Sequence, residues 1–130
     1  IKTTQGLGFI ENVVIDTHFV QRGRIGRLFQ AVVSNPRTLG IGLGEDTGLF
    51  IEDDKMTAIG SGLVIIVDGL QIKDTNLTNV DLGQPISIKN LVVDVLSMND
   101  TFDLKSREMN IVNSQYNPIP QVIPSNYTSD

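Results

Sequence analysis

His18 is the only histidine in the 130-residue chain, and an imidazole is the side chain best suited to move a proton near neutral pH. It follows Ile15-Asp16-Thr17, at the expected carboxyl end of a strand, where open α/β sheets place their ligands. Proton transfer is one reading of His18; a satisfied structural or surface histidine is the other. Three arginines come next, in Arg22-Gly23-Arg24-Ile25-Gly26-Arg27. Their planar forks suit a carboxylate, and the glycines let backbone and guanidinium groups crowd round a small anion. A solvated basic edge or an internal salt-bridge network is the alternative. Glu45 and Asp46 stand at the end of a second apolar segment. If the two strand ends are neighbours, one of these carboxylates could orient the imidazole and stabilise its protonated form; otherwise they cap the strand locally.

The elements that must position these groups can be read from the apolar pattern. Val13-Val14-Ile15 is a continuous β-branched run, expected as a strand covered on both faces. Ile25, Leu28, Phe29, Val32 and Val33 recur at helical spacing and Asn35-Pro36 ends the pattern, giving one amphipathic helix. Leu39-Gly40-Ile41-Gly42-Leu43-Gly44 reads as a second short strand with closely approached backbone. Together they make a strand, helix, strand unit of the α/β kind. Beyond Glu45 come short β-rich pieces at 49–51, 56–59, 64–67 and 91–96, separated by turn signals at Asp53-Asp54, Gly60-Ser61-Gly62 and Gly83-Gln84-Pro85. These are expected to complete a single mixed sheet. From Asn113 onward, Pro118, Pro120 and Pro124 among Asn and Ser describe an extended tail. The organisation expected is a catalytic portion over 1–112 and a tail over 113–130.

Composition removes several function classes. With 40% hydrophobic residues the chain is long enough to close one core. The net charge of -5 and sparse aromatics argue against nucleic acid or an anionic membrane as partner. No apolar run approaches the roughly 20 residues a helix needs to cross a bilayer. The absence of cysteine removes disulfides, thiolate metal sites and a cysteine nucleophile, but leaves a cytoplasmic or secreted location open. One histidine makes a zinc site improbable. Gly40, Gly42, Gly44 and Gly48 do not form a dinucleotide fingerprint, and no phosphate-loop lysine follows. Asn76-Leu77-Thr78, Asn99-Asp100-Thr101 and Asn126-Tyr127-Thr128 match the glycosylation triplet and are read as polar turns.

The stretch Gly6-Leu7-Gly8-Phe9-Ile10-Glu11-Asn12-Val13-Val14-Ile15-Asp16-Thr17-His18-Phe19, with Gln21-Arg22-Gly23-Arg24-Ile25-Gly26-Arg27-Leu28 after it, resembles the central signature of cyanophycinases, relatives of aspartyl dipeptidase (peptidase E). The likeness continues through Gly42-Leu43-Gly44-Glu45-Asp46-Thr47, Gly60-Ser61-Gly62, Val67-Asp68, Val95-Leu96-Ser97 and Phe102-Asp103-Leu104. It implies the C-terminal part of a three-layer, mixed-sheet α/β domain resembling class I glutamine amidotransferases, with a β-rich C-terminal portion. It also implies a serine exopeptidase that cleaves cyanophycin, a polyaspartate bearing arginine side groups, to β-Asp-Arg dipeptides. No cofactor is implied, and the complete enzyme is expected to be a homodimer.

In that resemblance His18 matches the general base, Glu45 the acid of a Ser-His-Glu triad, and Arg22 a substrate-binding arginine. Asp16, Arg24 and Arg27 match positions lining or supporting the pocket. Thr17 departs from the glutamine usual there, which weakens the case for cyanophycin itself and leaves an aspartyl dipeptidase or other acidic-peptide hydrolase as the alternative. The family's serine sits in a tight strand-to-helix turn N-terminal to the signature, and no serine here has that glycine-flanked setting. The expectation is that Ile1 begins midway through the protein and that an N-terminal half supplies the nucleophile. A homologue that binds acidic peptides without turnover is the remaining alternative.

Overall fold

The computed structural model describes residues 2–7, 10–17, 24–77 and 85–118. The chain begins with an antiparallel hairpin, β1 (Lys2–Leu7) and β2 (Ile10–Asp16). It continues through α1 (Arg24–Ser34) into β3 (Leu39–Leu43), which runs parallel to β2. A parallel neighbour cannot be reached by a tight turn, so the intervening helix supplies the crossover. Four further strands follow closely: β4 (Thr47–Glu52), β5 (Lys55–Gly60), β6 (Val64–Asp68) and the two-residue β7 (Asp74–Thr75). The last four are β8 (Ile88–Lys89), β9 (Val92–Leu96), β10 (Thr101–Asp103) and β11 (Glu108–Asn110).

Two main sheets result. The larger has the order β1-β2-β3-β6-β9 and is mixed, with only the β2–β3 pair parallel; the smaller, β11-β10-β5-β4, is antiparallel. The single mixed sheet expected from sequence is therefore two sheets. The 64–67 and 91–96 segments join the larger one as expected, whereas the 49–51 and 56–59 segments turn away from it. The physical cause lies in the turn at Asp53 and Asp54, whose φ values of 51° and 61° close a tight hairpin, the left-handed region being one that Asp tolerates. β4 and β5 thus pair with each other, Thr47 opposite Gly60 and Glu52 opposite Lys55. β10 then adds to the free side of β5.

Strand alternation sorts side chains into two cores. Val13, Leu39, Ile41, Val64, Ile66 and Leu96 project from the larger sheet onto Met56, Ala58, Phe102 and Leu104 of the smaller one. Val14 and Val67 project from the opposite face onto Leu28 and Val32 of α1. Helix, large sheet and small sheet form three layers, with β2, β3 and β6 covered on both faces, as the unbroken Val13-Val14-Ile15 run foretold. The helix follows its predicted stripe except that Ile25 remains 39% exposed. At Gly40 a Cβ would stand 2.7 Å from a Val32 methyl, so a glycine here lets α1 lie against the sheet.

One ion pair binds the layers at the far end. Arg107, in the β10–β11 turn, donates to Asp68 Oδ1 at 2.7 Å and to the Arg37 carbonyl at 3.0 Å. Asp68 Oδ1 also accepts the Leu70 N–H at 2.9 Å. No helix among the described residues is long and apolar enough to cross a membrane. Residues 113–118 carry neither helix nor strand and are exposed; 119–130, including Asn126, lie outside the described residues.

Candidate functional site

Parallel pairing brings the ends of β2 and β3 to one edge of the large sheet. Asp16 is registered with Gly42, so β2 and β3 reach the same edge side by side, about 5 Å apart. Asp16 is almost completely buried, and its place in the alternation is that of Val14, the α1-facing side. Thr17, immediately after it, is exposed in a turn. His18 and Arg22 lie outside the described residues. Arg24 opens α1, and Arg27 is exposed one turn later.

Glu45 and Asp46 follow β3 directly, in the turn that carries the chain from the large sheet to β4 of the small one. Glu45 is exposed, with its backbone bracketed on both sides. The Gly44 N–H donates to the Leu63 carbonyl at 2.9 Å, and the Ser61 N–H donates to the Asp46 carbonyl at 3.0 Å. The Thr47 hydroxyl donates to the Gly44 carbonyl at 2.6 Å. Asp46 takes a left-handed φ of 57°. The sequence-derived residues that the structure brings to one edge are thus Asp16, Thr17 and Glu45.

Thr47, Gly60 and Gly62 are the residues here to which sequence reading gave no role at the site. Gly60 has φ 93°, and a Cβ on it would run into the Asp46 carbonyl; a Cβ on Gly62 would meet the Glu45 carbonyl and stand 2.6 Å from the Thr47 methyl. Their signal was the paired glycines round Ser61, legible as a turn but not as the wall behind an acid. A cleft of about 480 Å³ lined by Arg37, Asp68, Leu70, Val92 and Arg107 belongs to the opposite edge, since Asp68 pairs with Leu39 at the start of β3. Among the described residues no three His, Cys, Asp or Glu side chains are grouped to hold a metal ion.

An exposed acidic residue is thus held in the turn after β3, beside the end of the strand that precedes His18 in the sequence. No family model matches the chain. Its sequence is 42% identical over 103 residues to the cyanophycinase of Trichormus variabilis, 78% of this chain and 35% of that protein. It is 38% identical over 105 residues to the cyanophycinase of Synechococcus elongatus, 80% of this chain and 33% of the relative. With the cyanophycinase of Geminocystis herdmanii the figures are 37% over 109 residues, 83% and 40%. Over about four fifths of its length the chain is therefore a cyanophycinase homologue. It spans between a third and two fifths of the length of these curated relatives.

Proposed function

We propose that this chain is the histidine- and acid-bearing part of a cyanophycin-degrading serine exopeptidase. The observation that carries the reading is the parallel β2–β3 pair, which ends both strands at one edge with Glu45 held in the turn after β3. In this reading His18 is the general base and Glu45 fixes its tautomer and stabilises the imidazolium. The serine is supplied by an N-terminal half of the complete enzyme. His18 takes the serine proton as the serine oxygen bonds to the α-carbonyl carbon of a backbone Asp–Asp peptide bond, the β-linkage to arginine staying intact. The carbon–nitrogen bond then breaks and His18 returns the proton to the departing amine, leaving an acyl-enzyme. Water, deprotonated by the same imidazole, releases the acid.

Arg22 holds a substrate carboxylate through a bidentate contact. Thr17 is exposed and stands where the substrate passes; Asp16, being buried against the α1 side, supports the pocket from behind, with Arg24 and Arg27 on the helix flanking it. The catalytic portion covers 1–112, its large sheet corresponding to that of class I glutamine amidotransferases, and 113–130 is a tail. The assembled enzyme is a homodimer.

The test is release of β-Asp-Arg from cyanophycin by the complete polypeptide carrying these residues. His18→Ala and Glu45→Gln are expected to lower kcat by about 10³-fold or more with KM little changed. Full activity in either variant overturns the assignment of that residue. A preference for α-aspartyl dipeptides over β-Asp-Arg would keep the hydrolase and replace the substrate, the outcome that Thr17 makes worth measuring.

A further inference from the structure

Glu45 stands in a crossing between sheets, and a second crossing runs beside it. Residues 44–46 carry the chain from β3 to β4, and residues 61–63 carry it back from β5 to β6. The two are joined by the Gly44 N–H to Leu63 carbonyl bond and the Ser61 N–H to Asp46 carbonyl bond. They approach so closely that neither Gly60 nor Gly62 has room for a Cβ against the Asp46 and Glu45 carbonyls. Thr47 closes the turn from within, its hydroxyl reaching back across Glu45 to the Gly44 carbonyl at 2.6 Å. Every residue flanking Glu45 is thereby tied, while its own side chain is exposed.

We propose that Thr47, with the Gly60-Ser61-Gly62 turn, is the positioning element of Glu45: it holds the backbone from which the carboxylate reaches the histidine. This rests on the reading of Glu45 as the orienting acid. Positioning of this kind matters because a displacement of about 1 Å in a catalytic group costs on the order of 10²-fold in rate. A loop on an edge otherwise moves by such amounts, whereas here two hydrogen bonds join the crossings and a third, from Thr47, closes one of them from within. Thr47 is a positioning residue and touches no substrate.

Alanine at Gly60 would collide with backbone and threatens folding, so the informative variant is Thr47→Val, which keeps the shape of the half-buried side chain and removes the hydroxyl. In the complete polypeptide, with β-Asp-Arg release as readout, Thr47→Val is expected to lower kcat about 10-fold at nearly unchanged KM, and Thr47→Ser to restore it. The same Thr47→Val change made on Glu45→Gln is expected to cost less than about two-fold further, because the carboxylate it positions is gone. Equal losses in both backgrounds would mark Thr47 as merely structural and overturn the proposal. So would an unaffected Thr47→Val beside a crippled Glu45→Gln. A fully active Glu45→Gln would instead overturn the orienting-acid reading itself, and the positioning role with it.

Discussion

Consider the removal of Arg107. Its guanidinium and the Asp68 carboxylate are each 11% exposed and 2.7 Å apart, between the two limits for which magnitudes are known. An exposed pair is worth about 1 kcal/mol or less, while stranding one partner of a buried pair costs about 3–5 kcal/mol. Arg107 also satisfies the Arg37 carbonyl, and without it Asp68 would share its surroundings with Asp94, whose carboxyl already feels the Asp68 charge. With roughly nine-tenths of the pair shielded, Arg107→Leu is expected to cost about 3 kcal/mol of stability. Asp68→Asn, which retains an acceptor for the Leu70 N–H, should cost less. In a double-mutant cycle by urea-induced unfolding the coupling between the two positions is expected near 2 kcal/mol. A coupling below about 0.5 kcal/mol would refute the reasoning, since it would give the pair the worth of an exposed one.

Two predictions concern acid and base. Burial, reinforced by the Asp68 charge, raises the Asp94 carboxyl above its ordinary value of 3.8. The folded chain then holds this proton more tightly than the unfolded one. Its contribution is in full below the ordinary value and is lost as pH rises through the raised one. Asp94→Asn should accordingly melt higher than the parent at neutral pH, with the advantage vanishing in acid, as thermal scans across pH would register. Asp100 behaves oppositely: the backbone N–H groups of Ser97 and Val112, at 3.0 and 2.9 Å, lower its pKa. That stability is present above the ordinary carboxylate value and is lost as pH falls through the lowered one. Asp100→Ala is expected to cost about 2–3 kcal/mol at neutral pH in urea titrations, and much less once the parent carboxylate is protonated.

The β2-α1-β3 unit was legible because each of its signals is local. A β-branched run marks a strand buried on two faces, and the spacing of Leu28, Val32 and Val33 marks one face of a helix. Asn35-Pro36 marks where that helix stops. The division into two sheets was not legible, because a short strand's sequence says that it is half covered but not by what. β5 finds β10 as its partner, with Thr57 opposite Thr101, across a stretch containing four other strands of the chain. No periodicity encodes such a pairing. At the site, the parallel register of Asp16 with Gly42 follows from the crossover helix, so the meeting of the β2 and β3 ends could be expected from spacing alone. The bracing of Glu45 depends instead on which backbone atoms lie within a few ångströms of Gly60 and Gly62. The sequence discloses this only as a pair of glycines round a serine.

β3 is the middle strand of the five, bonded along its length to β2 on one side and β6 on the other, with Leu39 and Ile41 fully buried. Amides in such a strand exchange with solvent only when the whole domain opens, whereas those of a peripheral strand such as β11 exchange through local fraying. The turn bearing Glu45 springs directly from β3. The exposed acid is therefore grafted onto the middle strand of the larger sheet, whose amides are expected to exchange slowly, and solvent access to it at the sheet edge requires none of the opening that would set it loose.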